Sequence, residues 1–383
     1  MISSRPCMGS RLEITLYHAE PRRCGAALEA AFSEVGRLER LLSRFLPDSE
    51  LSRVNRLAAS GPVVTDPELI GLIRRSLAFS RLTDGAFDVT AQSGRRIGYH
   101  QVLIDQVGST VAYNAPDVQI DLGAIGKGYA IDRAVDMLKR HNIASALVSF
   151  GSTTYGLGSP PGQAGWRVAI RHPRDREQSI GIVTLKDLAL STSGDYEQGR
   201  HIVDPRSGDP VAGTVSASVI APTALASDAL STAAFVLESV AGVEMLERQI
   251  SMEGLIISED DNGVLTAVQT GQLNYDQRER GTSVESDCRA ALQVIEQQEG
   301  KLRRLAMLKP NFPLQLTVLI SPSLPPVTVP TSLCRELAFV LSHTVHHSAL
   351  VAVMVKLLGE AVPDRFGYAP ATISHLERQA CVR

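Results

Sequence analysis

The chain has 383 residues, of which 44% are hydrophobic and 21% charged, a globular composition that excludes wholesale disorder, a coiled coil or a collagen-like chain. With 38 Lys and Arg against 41 Asp and Glu, the formal charge is −3 and there is no basic block, and only 5% of residues are aromatic, which argues against a nucleic-acid binder. The length exceeds that of an ordinary single domain and predicts one large or two-lobed domain with an appendage.

Residues 11–17, RLEITLY, alternate polar and apolar as a half-buried strand does. Leu28, Ala31, Phe32, Val35, Leu38, Leu41 and Leu42 recur at helical spacing within 25–45. Asp66-Pro67-Glu68 opens a second helix, with Asp as N-cap and Pro in the first turn. Residues 102–120 carry two or three short strands, and a strand VQI at 118–120 runs into the turn DLGAIGKG and a helix from Gly126 to Arg140. Strands are expected at 147–150, 166–170, 181–185 and 215–220, and a helix at 227–237. Irregular alternation of this kind predicts an α+β (mixed α/β) domain.

Composition shifts near residue 273. Residues 282–308 read as a polar amphipathic helix, the proline-rich 310–331 as an extended connector, and 332–359 as one long helix. His343, His346 and His347 stand at the middle of that last helix, which favours a buried bundle helix over a membrane span. The five cysteines, at 7, 24, 288, 334 and 381, form no C-x-x-C pair and read as reduced thiols. The N-terminus shows neither a secretory signal nor a lipobox, so the expected location is cytoplasmic.

Three stretches carry chemistry. Residues 121–132 set a glycine-rich turn and a lysine, Lys127, at a helix start, an arrangement suited to an anion such as phosphate but equally to a tight turn with a solvated lysine. Asp228 and Thr232 are four apart and share a helix face; a carboxylate and a hydroxyl are hard oxygen ligands suited to Mg²⁺, although a surface Asp–Thr pair has the same spacing. His201 stands just before the turn DPRSG, placed as a base, a ring partner or an exposed loop residue.

Together and in this order these blocks resemble the FAD:protein FMN transferases, the ApbE family, over about 8–272. The likeness rests on Met8-Gly9-Ser10, on Ser43-Arg44-Phe45, and on Ser49-Glu50-Leu51-Ser52 followed by Asn55. It continues through residues 83–90 (TDGAFDVT), 121–132, 191–196 (STSGDY), 201–208, 221–224 (APTA) and 228–232. The resemblance implies Mg²⁺-dependent cleavage of FAD, transfer of FMN through a phosphoester to a threonine of a target flavoprotein, and release of AMP. It implies metal ligation by Asp228, Thr232 and the backbone carbonyl of Ala124, with Ser231 as a further hydroxyl. It implies an FAD site lined by Met8, Phe45, Ala86, Phe87, Asp88, Asp121, Lys127 and Val203, with His201 and Asp228 as catalytic residues. Ser231 before the threonine, residues 149–154 (SFGSTT), the short region after Thr90 and the missing export signal depart from the family pattern; two alternatives stand beside transfer: FAD hydrolysis to FMN and AMP by the same site, or a catalytically weakened flavin-binding protein, which Ser231 and the truncated bundle motivate.

The tail, 274–383, resembles the second part of a DinB-like helical bundle, through NYDQRER at 274–280, residues 335–347 and residues 367–373. That likeness leaves two readings of His343 and His347, four apart on one helix: ligands of a second metal, or bundle-core residues in a half bundle whose third histidine is missing; such a half bundle is expected to dock on the large domain, form an oligomer through the C-terminal helix or be poorly ordered. The expected partners are FAD and the target flavoprotein, with no nucleic acid and no membrane.

Overall fold

The structure is a computed structural model that describes residues 1–91, 98–105, 107–175, 177–195, 202–249 and 251–270, the backbone of 272–274, 313–318 and 327–332, and Arg335. The chain divides into a unit Met1–Thr270 and a unit Gly271–Arg383.

In the first unit, β1 (Ile2–Cys7) and β2 (Ser10–Tyr17) form a hairpin, and Leu12, Ile14 and Leu16 of β2 alternate inward with no exposure. Helix α1 (Pro21–Leu42) buries the predicted apolar stripe, starts four residues before the expected 25–45 and ends at Leu42, the last residue of the stripe. The Ser49 and Ser52 hydroxyls both donate to the Ser43 carbonyl, which folds the chain back into α2 (Glu50–Leu57). After β3 (Val63–Val64), α3 (Pro67–Leu82) starts where Asp66-Pro67 predicts, with the Asp66 carboxylate accepting from Glu68 N at 2.7 Å. Strands β4 (Val102–Asp105) and β5 (Thr110–Tyr113) complete a small sheet with β3.

Helix α4 (Gly126–Arg140) is followed by β6 (Ser145–Phe150), β7 (Thr153–Leu157), β8 (Trp166–Arg171), β9 (Ser179–Leu185), β10 (Leu188–Gly194) and β11 (Thr214–Ala221). Helix α5 (Ala224–Glu247), broken at Glu238 where φ is 63°, leads to β12 (Glu253–Glu259) and β13 (Leu265–Gln269). Eight strands join in the order β1-β2-β6-β7-β10-β11-β12-β13, every neighbouring pair antiparallel. Period-two alternation separates the two faces of this sheet. Val148, Ala189, Val219 and Ile256 belong to the main core with α1, α4 and α5. Leu147, Leu190, Ile220 and Leu255, one residue away on the same strands, pack instead around Trp166 of the β8–β9 hairpin.

Among the described residues α5 is the one helix long and apolar enough to cross a membrane, and most of it is buried against α4 and the large sheet. Helix α4 is tied to α1 and α3 by a network in which Glu68 accepts from Tyr129 Oη (2.6 Å) and pairs with Arg37 (2.7 Å), while Glu34 bridges Arg37 (2.9 Å) and Arg133 (3.3 Å).

Two expectations need correction, and three strands had none. Residues 118–120 are not a strand. The Asn55 side chain donates to Ile120 O and accepts from Ile120 N, both at 2.9 Å, so one amide side chain stands in for a ladder partner. Strands β1, β7 and β10 escape apolar periodicity because Ser, Thr and Gly fill many of their positions. In the second unit, the proline-rich stretch read as a connector holds β15 (Pro313–Val318) and β16 (Val327–Ser332), paired antiparallel, with β14 (Gln272–Asn274) parallel to β15. The helix expected at 282–308 lies outside the described residues, and of the one expected at 332–359 only Ser332, which ends β16, and Arg335 are described; His343, His347 and the rest of the DinB-like stretch lie outside them.

A carboxylate between two helix starts

The turn before α4 and the start of α5 meet at Gly128. A Cβ at that position would stand 2.3 Å from the Ala224 carbonyl oxygen and 2.8 Å from Asp228 Cβ, so only glycine lets the two helices cross there. The crossing places the Asp228 carboxylate over the first turn of α4, where its Oδ2 accepts from Gly128 N at 2.9 Å. The other oxygen, Oδ1, accepts from Thr153 Oγ1 (3.3 Å) and Ser191 Oγ (3.4 Å), both at the long end of hydrogen-bond range. Asp228 is 5% exposed. Burial pushes its carboxyl above the usual carboxylate range, opposed by the charge of Lys127 and the three hydrogen bonds.

Hydroxyls fill the surroundings. Ser231 donates to the Asp228 carbonyl at 3.0 Å and lies 3.3 Å from Ser191 Oγ, and Ser193 Oγ stands 3.0 Å from Ser231 and 3.3 Å from Thr232. One carboxylate ringed by hydroxyls is an all-oxygen donor set, the chemistry of a hard cation with further ligands from substrate or water. Among the described residues no group of three or more His, Cys, Asp or Glu could hold a metal unaided.

The predicted flavin residues gather in two neighbouring places. Lys127, half-buried in the first turn of α4, donates to Gly123 O at 2.9 Å, and Ala124 lies in the glycine turn just before the helix. Asp121 accepts from Gly123 N (2.9 Å) and from Arg44 Nε (2.9 Å), and the Arg44 guanidinium stacks 4.6 Å from the centre of the Phe45 ring. Phe45 is 79% exposed, so the pair presents an uncovered aromatic face beside the glycine turn. Met8, in a left-handed conformation at the β1–β2 turn, is held by its N–H to Glu39 (2.8 Å) with its methyl against Gly126.

The second place is a cleft of about 370 Å³ lined by Asp84, Gly85, Asp88, Tyr99, His100, Pro205 and Arg206. Asp88 accepts from Thr90 N (2.7 Å), Thr90 Oγ1 (2.8 Å) and Tyr99 N (2.6 Å); burial raises its pKa and these bonds partly offset the rise. Asp121 N donates to Val89 O at 2.7 Å, which joins this loop to the glycine turn. The side chains of Ala86 and Phe87 point into the core, Phe87 edge-on to Phe79, so these two residues can offer a ligand only their backbone. Val203 is half-buried and bridges Pro210 in the turn after the predicted histidine. His201 itself lies outside the described residues.

The residues that complete the carboxylate's surroundings without being predicted for it are Thr153, Ser191 and Ser193, from β7 and β10. Arg44 was likewise unassigned. Serines and threonines in a strand carry no periodic signal, and only the register of β7 with β10, which pairs Thr153 with Ser191, turns them toward Asp228.

A sequence profile of the ApbE family matches residues 8–94 and 91–256. The FAD:protein FMN transferase of Treponema pallidum is 31% identical over 300 residues, covering 66% of this chain and 83% of that protein. The apo crystal structure of Pseudomonas stutzeri flavinyl transferase ApbE superposes with a TM-score of 0.62 at 26% identity, over 70% of this chain and 94% of that one. The flavin transferase ApbE of Vibrio cholerae shares the fold with a TM-score of 0.63 at 24% identity, over 70% of this chain and 96% of that one.

Proposed function

Since the chain belongs to the ApbE family, we infer that it is a flavinyltransferase that moves FMN from FAD to a target protein, with Asp228 at the seat of the chemistry. The observation that carries this reading is the buried Asp228 carboxylate at the start of α4, beside Lys127 and within a ring of hydroxyls.

The first turn of α4 carries the positive end of a helix dipole, and Lys127 adds a full charge, so the pyrophosphate of FAD belongs there. Phe45 and the cleft around Asp88 and Tyr99 are the places for the ring systems at the two ends of the dinucleotide. The all-oxygen set fits Mg²⁺. Asp228, Thr232 and the Ala124 carbonyl would hold it, with Ser231 as a further hydroxyl, and when bound it neutralises charge on the pyrophosphate oxygens.

In the transfer, the hydroxyl oxygen of the acceptor threonine attacks the phosphorus of the FMN half. The bond to the bridging oxygen breaks, and AMP leaves with the electron pair. The threonine proton goes to a base, for which His201 and Asp228 are the candidates. The protein's share is positioning and electrostatics: Lys127 and the positive end of the α4 dipole stabilise the departing oxygens.

The test is AMP release from FAD by the full chain, with Mg²⁺ or with EDTA, and with or without a threonine-bearing acceptor peptide. The expected result is Mg²⁺-dependent AMP and a peptide heavier by FMN. AMP with no labelled peptide would replace transfer by hydrolysis, and FAD binding without AMP would reduce the protein to a flavin binder.

A further inference from the structure

Asp132 lies one turn along α4 from Gly128, and its carboxylate reaches the start of α5. Oδ1 accepts from Ala224 N at 2.8 Å and Oδ2 from Leu225 N at 3.1 Å. The next amide, Ala226 N, is taken by the N-cap Thr223 Oγ1 at 3.2 Å, and Ser227 N by Thr223 O at 3.1 Å. All four amides that begin α5 are therefore satisfied, two of them by one side chain from another helix. Asp228 does the converse from α5, through its bond to Gly128 N in the first turn of α4.

We propose that Asp132 is a positioning residue for the metal-binding face of α5: the two helices cap each other's first turn with a carboxylate, and this reciprocal pair sets where Asp228 and Thr232 stand relative to the glycine turn. The proposal rests on the transferase reading above.

The geometry makes the coupling direct. Asp228 follows Ala224 by four residues, one helical turn, so any movement of Ala224 at the crossing carries Asp228 with it. The crossing has no slack, since Gly128 already meets the Ala224 carbonyl. Thr223 alone holds Ala226 and Ser227 but has nothing to fix the helix against α4. Asp132 supplies that lateral tie, with two charge-assisted bonds aimed along the axis of α5. The carboxylate lines a cleft of about 390 Å³ with Arg75, Tyr129, Arg133, Asp136, Lys139 and Tyr155, on α3, α4 and β7.

Asp132→Asn is nearly isosteric and keeps one acceptor oxygen, so one amide of α5 loses its partner and the tie loses its charge. The experiment titrates Mg²⁺ calorimetrically into FAD-loaded wild type and Asp132→Asn without acceptor peptide, and measures FAD affinity and thermal midpoint in parallel. The expected result is Mg²⁺ affinity lower by about tenfold, with FAD affinity within about twofold and the midpoint no lower than wild type. In steady state the Mg²⁺ concentration for half-maximal AMP release rises, while kcat at saturating Mg²⁺ recovers. Unchanged Mg²⁺ affinity overturns the proposal, and so does a parallel loss of Mg²⁺ affinity, FAD affinity and thermal stability, which is the signature of a merely structural residue. Asp132→Ser, read by the same criteria, serves if the asparagine variant does not fold. Wild type that binds no Mg²⁺ with FAD present would overturn the transferase reading, separately from any difference between wild type and variant.

Discussion

Replacing Gly128 by alanine tests the helix crossing on which the site depends. Two effects oppose each other. Alanine in a helix interior is favoured over glycine by about 1 kcal/mol. Against this, the added methyl would lie 2.3 Å from the Ala224 carbonyl oxygen, 2.7 Å from its carbon and 2.8 Å from Asp228 Cβ. Those neighbours are the backbone and Cβ of a buried helix, not the end of a flexible side chain, so α5 must move away from α4. Overpacking of this kind costs about 1–3 kcal/mol. The movement also lengthens the bonds from Gly128 N to Asp228 and from Ala224 N to Asp132, each charge-assisted and worth about 1.5–3 kcal/mol when well formed. With partial loss of both, the clash wins by about 2–4 kcal/mol, a fall in thermal midpoint of about 5–15 °C for a domain of this size. Circular dichroism melting measures the fall, and AMP release from FAD should drop by about 100-fold or more as Asp228 leaves its place. Gly25→Ala in α1 is the control, since a Cβ there meets nothing within 4 Å, and it should raise the midpoint slightly. A Gly128→Ala protein with wild-type midpoint and activity would refute the reasoning, because the crossing would then tolerate a side chain.

Other variants separate stability from function at the same place. Asp228→Asn keeps an acceptor for Gly128 N while removing a buried charge whose pKa is raised, so its melting temperature should equal or exceed wild type while AMP release falls by about 10³-fold; retained turnover would remove Asp228 from the chemistry. Arg44→Ala deletes an exposed ion pair worth under about 1 kcal/mol, so the midpoint should hold within a few degrees; FAD affinity should weaken because Phe45 and Asp121 lose their shared partner, and unchanged flavin binding by fluorescence would place the flavin elsewhere. Burial pushes Asp132 up to about 6, opposed by its two amide bonds and Arg75 and reinforced by Asp136. A carboxyl with a raised folded-state pKa favours the folded protein most when protonated, so its contribution declines as pH rises from about 4 to about 6, by up to about 3 kcal/mol, and is flat above. The midpoint of Asp132→Asn relative to wild type should therefore climb across that window, and a difference independent of pH would show that Asp132 titrates at its ordinary value.

How far the sequence carried this structure depended on what kind of signal each element emits. Helices α1, α3 and α4 announce themselves through apolar spacing and an Asp-Pro start, and α4 spans the residues its pattern indicates. Strand β2 does the same through alternation. Strands β7 and β10 do not: their residues face a polar site on one side, so the apolar half of the alternation is missing where it matters most. The false strand at 118–120 fails for the opposite reason, since its alternation is genuine but its partner is the Asn55 side chain.

The site divides along the same line. That Asp228 and Thr232 share a face was legible, because a fixed helical period puts positions four apart together whatever the tertiary structure, but the spacing fits a surface pair equally and only the family resemblance singled them out. Thr153 and Ser191 were not, because they meet Asp228 only through the antiparallel register of β7 with β10, and register is a property of the assembled sheet. Asp132 falls between the two cases. It sits inside the most informative stretch of the chain, yet nothing local distinguishes it from any other helical aspartate such as the half-buried Asp136 one turn later. What distinguishes it is the amide pair at Ala224 and Leu225, 92 and 93 residues away. A helix start with unsatisfied N–H groups demands an acceptor, and after Thr223 has taken Ala226 the demand at Ala224 and Leu225 can be met only from outside α5. Counting the orphan amides at a helix start therefore asks which carboxylate answers them, and here the answer leads from the helix that carries Asp228 to Asp132.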